Sequence, residues 1–476
     1  MKKIFLICLL VVIVTSCKEK NTKDAVAEVP VVKTITDDVL ESAVIYEANI
    51  RQYSSEGTFD AFTKDIPQLK ELGVKVIWLM PVFPISETKR KATGGDFASL
   101  IEDEATRDRM LGSYYAVSDF TKVNPEFGTK EDFQELIVEA HNNDMYVILD
   151  WVPNHTGWDH VWLKDHPDFY TKNADGEITD PLNEDGTPVG WADVADLNYD
   201  NKALWEEMIV EMKYWITEEG VDGFRCDVAG SVPVAFWEYS IPKLRAEKDI
   251  FMLAEAWEPE LLKGDTLFDM AYAWEGHHVM NEIAQGKKTV LDLDAYMVKM
   301  DSVYEQSDIL MNFVTNHDEN SWNGTLKERM GDASEAMTAL IYSLPGMPLI
   351  YSGQEYDLDH RLLFFEKDEI PHTKGKFWPV LDKLGSLKNH NPALNGAKNK
   401  ASYQRISTSK DSKILAFRRD KGGKELIYIA NLSKDSVRFT VPITGDFKNA
   451  MSDENVSFVP DEQHNLEPWQ YLILIK

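Results

Sequence analysis

Cysteine is scarce: Cys8, Cys17 and Cys226 are the only three in 476 residues. Cys8 lies in an apolar N-terminal leader and would leave with it, and Cys17 just after it would be acylated, so Cys226 is the one free thiol of the mature chain and no internal disulfide forms. A chain of this length builds a core without one. Cys226 stands between Arg225 and Asp227, and strand alternation points it away from both, as a buried structural thiol. Positive charge is scarce too. Fifty Lys and Arg against 80 Asp and Glu give a formal net charge of −30, which argues against a polyanionic partner such as nucleic acid. No apolar run reaches bilayer length. No G-x-G-x-x-G follows the first strand, which removes the dinucleotide-binding signature. No H-x-H pair stands at an early strand end, where a metal hydrolase on a barrel would want one; the adjacent pair His277-His278 follows a later strand. Internal repeats and low-complexity tracts are absent.

The N-terminus carries a positive Met1-Lys2-Lys3 and a twelve-residue apolar stretch, Ile4 to Thr15. That is too short to span a bilayer and suits a signal peptide, residues 1–16. The V-T-S-C that ends it resembles a bacterial lipobox. The resemblance implies cleavage before Cys17, lipid on its thiol and amino group, and an exported lipoprotein anchored at the outer membrane, at the cell surface or the periplasmic face. Several acyl chains anchor far better than one. Residues 17–39 lack periodicity and read as a tether.

Strand and helix patterns then alternate. VIYEANI (44–50) reads as a strand; Phe59, Phe62, Ile66, Leu69 and Leu72 mark a helix face. VKVIWLM follows, then a helix face of Phe133, Leu136, Ile137 and Ala140, then MYVILDW. Leu204, Met208, Met212, Trp215 and Ile216 lead to VDGFRCD, and a helix from about Pro233 to Arg245 precedes FMLAE. MAYAW (270–274), DILMNFV and MPLIYSG complete eight strands, which predicts an α/β fold: a closed (β/α)8 TIM barrel of residues 40–155 and 204–392. Residues 156–203 are Gly-, Pro-, Asn- and Asp-rich, too long for a plain connection, and predict a small inserted domain after the third strand. Residues 393–476 change to short strands between turn residues and predict a C-terminal antiparallel β-sandwich.

Asp227, Glu255 and Asp318 each end a short apolar run. A carboxylate at the end of a buried strand is costly unless it works for the protein, and in a barrel these ends meet on the catalytic face. Four clusters gather there: D150-W-V-P-N154-H155, R225-C-D227, E255 and N316-H317-D318. Neighbouring carboxyls push their pKa values apart, so that one is an acid while another stays ionised. Glycoside cleavage needs that pair. Arg225, two residues before Asp227, shares its strand face and holds it ionised.

The four clusters, with G-S-Y-Y-A-V-S-D-F, N-P-E-F-G-T and I-Y-S-G-Q-E, resemble in order and spacing the signature regions of the α-amylase family, glycoside hydrolase family 13. The resemblance covers roughly residues 40–390. It implies that Asp227 is the nucleophile of a retaining mechanism, Glu255 the acid/base, and Asp318 the holder of the C2 and C3 hydroxyls. Arg225 would orient the nucleophile, His155 and His317 would hydrogen-bond the sugar, Tyr115 would stack on it, and Asp150 would be a structural partner.

The resemblance also implies calcium between barrel and insert at Asn154 and Asp196, by oxygen ligation; no organic cofactor is expected. The chain departs from the family where Gly230-Ser231 replaces Lys-His, losing a lysine contact to the sugar on the reducing side. Trp191, Trp257 and Trp322 are the stacking candidates among thirteen tryptophans. The expected activity is hydrolysis of α-1,4 bonds in starch-like glucans or maltooligosaccharides. An oligosaccharide α-glucosidase, a cyclomaltodextrinase or a transglycosylase uses the same acids and stays open, as does oligomeric state. A non-catalytic glycan binder fits poorly, because all three acids are kept.

Overall fold

The computed structural model describes residues 34–476 except Glu184 and Asp265. The leader, Cys17 and the first part of the tether lie outside the described residues. Eight parallel strands close into a barrel in chain order: β1 Val44–Ala48, β2 Val74–Leu79, β3 Tyr146–Trp151, β4 Gly223–Cys226, β5 Phe251–Ala254, β6 Met270–Tyr272, β7 Ile309–Asn312 and β8 Met347–Tyr351. The sheet closes by pairing β1 with β8, Ile45 opposite Leu349. Every β1 position is buried, as expected of strands covered on both faces.

The helix faces read from periodicity face the barrel. Phe133, Leu136, Ile137 and Ala140 are buried on helix Lys130–Asn142, which Thr129 and Asp132 start with a reciprocal capping box. Leu204, Met208, Met212, Trp215 and Ile216 are buried on Lys202–Thr217. Each Leu, Ile, Met or Phe among them contributes roughly 1.5–3 kcal/mol on burial. Phe59, Phe62, Ile66 and Leu69 are likewise buried, but over two short helices, Phe59–Thr63 and Ile66–Leu69. Pro67 explains the break: it sits at the start of the second helix, where its missing N–H costs nothing.

Gly223 lets β4 lie close to β5. Its φ is +154°, and a Cβ there would meet the Phe251 carbonyl oxygen at 1.9 Å, so no other residue fits. Next to it, Asp222 is buried and satisfied: it accepts from Val147 N at 2.8 Å, His141 Nε2 at 2.7 Å and Lys248 Nζ at 2.7 Å. These bonds fix the strand that carries Arg225 and Asp227.

Between β3 and β4, His155–Gly157 pairs antiparallel with Val194–Asp196, with helix Val161–Asp165 in the same segment. After the barrel comes a six-stranded antiparallel sheet built from Gln404–Arg405, Ile414–Lys421, Lys424–Asn431, Tyr471–Ile475, Gly445–Asn449 and Asn455–Phe458. A two-stranded sheet, Val437–Phe439 with His464–Leu466, shares its core. Buried Arg419 joins this sheet to the barrel, donating to the carbonyls of Ser343, Asn395 and Ser402 at 2.7–2.9 Å.

Candidate active site

The C-terminal ends of the barrel strands build the site in two layers. The lower layer is fully covered and centres on Arg225, which follows Phe224 in β4. Its Nη1 donates to Asp150 Oδ1 at 2.8 Å and Asp227 Oδ1 at 3.0 Å, and its Nε to the Tyr272 hydroxyl at 3.2 Å. Nη2 forms an ion pair with Glu255 Oε2 at 2.9 Å. The guanidinium lies over the Trp78 ring, 4.9 Å from its centroid. Asp150 also accepts from Trp78 Nε1 at 3.1 Å and the Tyr115 hydroxyl at 3.2 Å.

The upper layer is the reactive face. Side chains of Asp227, Glu255 and Asp318 keep 11%, 15% and 35% of their surface exposed, whereas Arg225 and Asp150 keep none. Asp227 and Glu255 directly follow β4 and β5. Asp318 lies six residues beyond β7 and opens a single π-helical turn, Glu319–Asn323, so its apolar run ends in a loop rather than at a strand end. Glu319 anchors that turn through His277 at 3.3 Å and Arg329 at 3.4 Å.

His317 sits between the layers. Its Nδ1 meets Glu47 Oε1 at 2.5 Å and its Nε2 meets the Tyr115 hydroxyl at 2.8 Å, with Asp318 Oδ2 at 3.4 Å. The Tyr115 and His317 rings stack with centroids 5.6 Å apart. Burial works against a charged ring, yet Asp318 and Glu47 outweigh it and push the His317 pKa up to about 9. Burial raises Asp150 to about 6 against the pull of Arg225. Burial, then the Glu255 charge, raises Asp227 well above the usual carboxylate range, and Arg225 opposes both. Five acids thus share one guanidinium and one imidazolium: Asp150, Asp227 and Glu255 on Arg225, and Glu47 and Asp318 on His317. The neighbouring carboxyls titrate as a set rather than singly.

Val228 adds strain beside the acids. Its φ and ψ of 37° and 45° are left-handed, which is costly for a β-branched residue. In that conformation its N–H donates to Glu255 Oε2 at 2.8 Å.

Of the residues read from the sequence, Asp150, Arg225, Asp227, Glu255, His317, Asp318 and Tyr115 converge. His155 makes no hydrogen bond or ion pair with these carboxylates. It is buried, its Nδ1 lies 3.3 Å from Asn154 Nδ2, its ring centroid is 5.7 Å from that of Trp191, and burial lowers its pKa to about 4. Asn154 and Asp196 are neighbours through the strand pair that sets His155 opposite Asp196. Trp191, Trp257 and Trp322 are all exposed. Trp322 packs 5.1 Å from Phe364, whose ring lies parallel to Tyr115 at 6.4 Å; no pattern in the sequence singled out Phe364. Glu47, Trp78 and Tyr272 were also missed, and Glu47 obeys the same rule as the other acids, closing the apolar run V-I-Y.

A cavity of about 610 Å³ between helix Val290–Val303 and residues 400–405 touches none of these acids, so cavity volume does not mark the site.

The comparisons with known proteins bear on the family and the fold. The alpha amylase catalytic domain family matches residues 33–374. An α-amylase of Haloarcula japonica, MalA, is 24% identical over 90% of this chain, which spans 63% of that protein's length. A 4-alpha-glucanotransferase of Thermotoga neapolitana is 28% identical over 65% of this chain and 70% of its own. Among solved structures, a maltogenic α-amylase of Thermotoga neapolitana superposes with a TM-score of 0.80 at 27% identity, over 92% of this chain and 99% of that one. An α-amylase of Lactobacillus plantarum gives 0.79 at 28%, over 93% and 100%. With the catalytic-domain match covering well over half of its residues, the chain belongs to the α-amylase family, glycoside hydrolase family 13.

Proposed function

We propose that this protein is a retaining glycoside hydrolase that cleaves α-1,4-glucosidic bonds in starch-like glucans or maltooligosaccharides. The observation that carries the reading is the bridge between Asp227 and Glu255: one guanidinium contacts both, at 3.0 and 2.9 Å. That bridge favours the short separation, about 5 Å, of a retaining pair over the wider gap that seats a water in inverting enzymes.

In this reading a protonated Glu255 gives its proton to the glycosidic oxygen as the C1–O bond breaks, and an Asp227 oxygen bonds to C1. Water then attacks C1, Glu255 takes its proton, and the C1–Asp227 bond breaks. In this reading the acid proton lies on Glu255 in the reacting complex, and Arg225 Nη1 favours ionised Asp227 against burial and the neighbouring acids, which raise it. Asp318 grips the sugar hydroxyls, Tyr115 offers its ring to the sugar face, and His317 donates from the floor. His155 enters from the insert side, beside Trp191.

Transfer to a second sugar is the alternative, because a sugar hydroxyl can replace water in the second step. The relatives named 4-alpha-glucanotransferase and maltosyltransferase favour keeping it. Product analysis on starch, cyclodextrin, pullulan and short maltooligosaccharides separates the two: hydrolysis yields only shorter sugars, and products longer than the substrate mean transfer.

Calcium at Asn154 and Asp196 is part of the proposal. Among the described residues no group of three or more His, Cys, Asp or Glu could hold a metal ion. Yet Asp196 has no Lys, Arg or His ion-pair partner there, and burial, with Asp180 adding, raises its pKa. A half-buried carboxylate on the strand paired next to Asn154 suits a calcium that takes its remaining oxygens from carbonyls and water. Lipid anchoring through Cys17 is likewise proposed, on the sequence of the leader.

A further inference from the structure

A cavity of about 280 Å³ opens beside the segment that carries His317 and Asp318, between that segment and the loop after β8. Thr315 and Gln354 line its buried part, 4% and 5% exposed. Thr315 Oγ1 and Gln354 Oε1 meet no hydrogen-bond partner among the described residues. Leaving a buried polar atom unmet costs about 1–3 kcal/mol, so two of them on one cavity call for an occupant. Lys327 and Asp359, paired at 2.6 Å, and the exposed Lys376 stand at the solvent side.

The lining selects the ligand's chemistry. Lys327 and Lys376 are offset by Asp357 and Asp359, so the cavity carries no net charge and favours a neutral guest. Asp357 is already occupied, accepting from Lys376 N at 2.8 Å and Phe377 N at 2.9 Å. Gln354 Oε1 requires a donor, and Thr315 Oγ1 takes either a donor or an acceptor, a demand that hydroxyl groups meet. Leu326, Leu358 and Phe377 supply an apolar wall for a flat ring face. At ~30 Å³ per water the volume equals about nine waters, space for one sugar ring and too little for a chain of several.

We propose that this cavity is a second binding site for a single neutral hexose ring, outside the cleft that holds the three acids. The choice of hexose rests on the glucan reading of that cleft, whose smallest product is glucose. Thr315 is three residues before Asp318, and Asn320 of the π-helical turn also lines the cavity, so an occupant lies against residues on both sides of Asp318 in the chain.

Crystals of the full chain soaked in D-glucose test this. The expected result is pyranose density hydrogen-bonded to Thr315 Oγ1 and Gln354 Oε1; water alone in the cavity overturns the proposal. In solution, D-glucose binding is followed by NMR on Asp227→Asn protein saturated with maltohexaose. Binding should persist there and weaken at least tenfold when Thr315→Val or Gln354→Leu is added. Displacement by maltohexaose, or unchanged binding in both added variants, overturns it. Thr315→Val is close to isosteric, and the soak needs no variant. Maltohexaose turnover by the wild type is a separate readout, so failure of the glucan reading and failure of this site are distinguishable.

Discussion

Glu47 holds His317 by two bonds to the same oxygen: Oε1 meets the ring Nδ1 at 2.5 Å and accepts from the backbone N at 3.4 Å. The first strand of the barrel thus sets the orientation of a histidine on the seventh strand's loop and, with Asp318, favours its charged form. Burial raises the Glu47 pKa, and the imidazolium works against that rise.

A folded His317 pKa of about 9 against an unfolded value near 6.5 has a definite sign. The stabilisation is fully present below about pH 6.5 and is lost as pH rises through about 9. It amounts to something on the order of 3 kcal/mol. Glu47→Gln should move the alkaline limb of the activity profile at least one pH unit lower and cut kcat/KM about tenfold. A limb that stays in place would show that Glu47 does not set the charge of His317.

Arg225 touches Asp150, Asp227, Glu255 and Tyr272 at once. A lysine has the charge without the planar fork and cannot meet them together. Arg225→Lys is therefore expected to cost about 3–5 kcal/mol in urea unfolding, the usual loss on breaking a buried pair, with activity down at least a hundredfold. Near-normal stability would mean that the acids do not depend on the fork.

Val228 supplies the opposite kind of test. Val228→Gly removes left-handed strain of about 1–2 kcal/mol, of which glycine's extra chain entropy takes back about 0.5–1 kcal/mol. The variant should unfold at slightly higher denaturant and turn over several-fold more slowly, because the N–H that holds Glu255 Oε2 is less fixed. A less stable variant would contradict the strain.

Chelation checks calcium. If Asn154 and Asp196 hold the ion, the chelator should lower the melting temperature by several degrees, and Asp196→Asn should abolish that response. No change on chelation would retire calcium.

Much of this site was legible because barrel strands alternate with helices and their acids stand out after apolar runs. Asp150, Arg225, Asp227 and Glu255 all fall within or directly after strands read from the sequence. Glu47 was hidden by a boundary. VIYEANI reads as one strand through Ile50, which puts Glu47 in its middle; the strand ends at Ala48, and Asn49 caps a helix beginning at Ile50, accepting from Gln52 N. Trp78 and Tyr272 were silent for another reason: strands buried on both faces lose the alternation that tells inward from outward side chains. The C-terminal strands Gly445–Asn449 and Asn455–Phe458 are short and largely polar, and only pairing reveals them. Phe364 joins Tyr115 through a long loop, which no periodicity encodes.

The central claim is that Asp227 attacks the anomeric carbon while Glu255 supplies the proton. A slow fluorinated glucosyl donor, followed by digestion and peptide mass spectrometry, reads the attacking atom directly. The account predicts a covalent glycosyl group on the peptide containing Asp227, absent in Asp227→Asn; an adduct on another carboxylate, or full hydrolysis by Asp227→Asn, would contradict it.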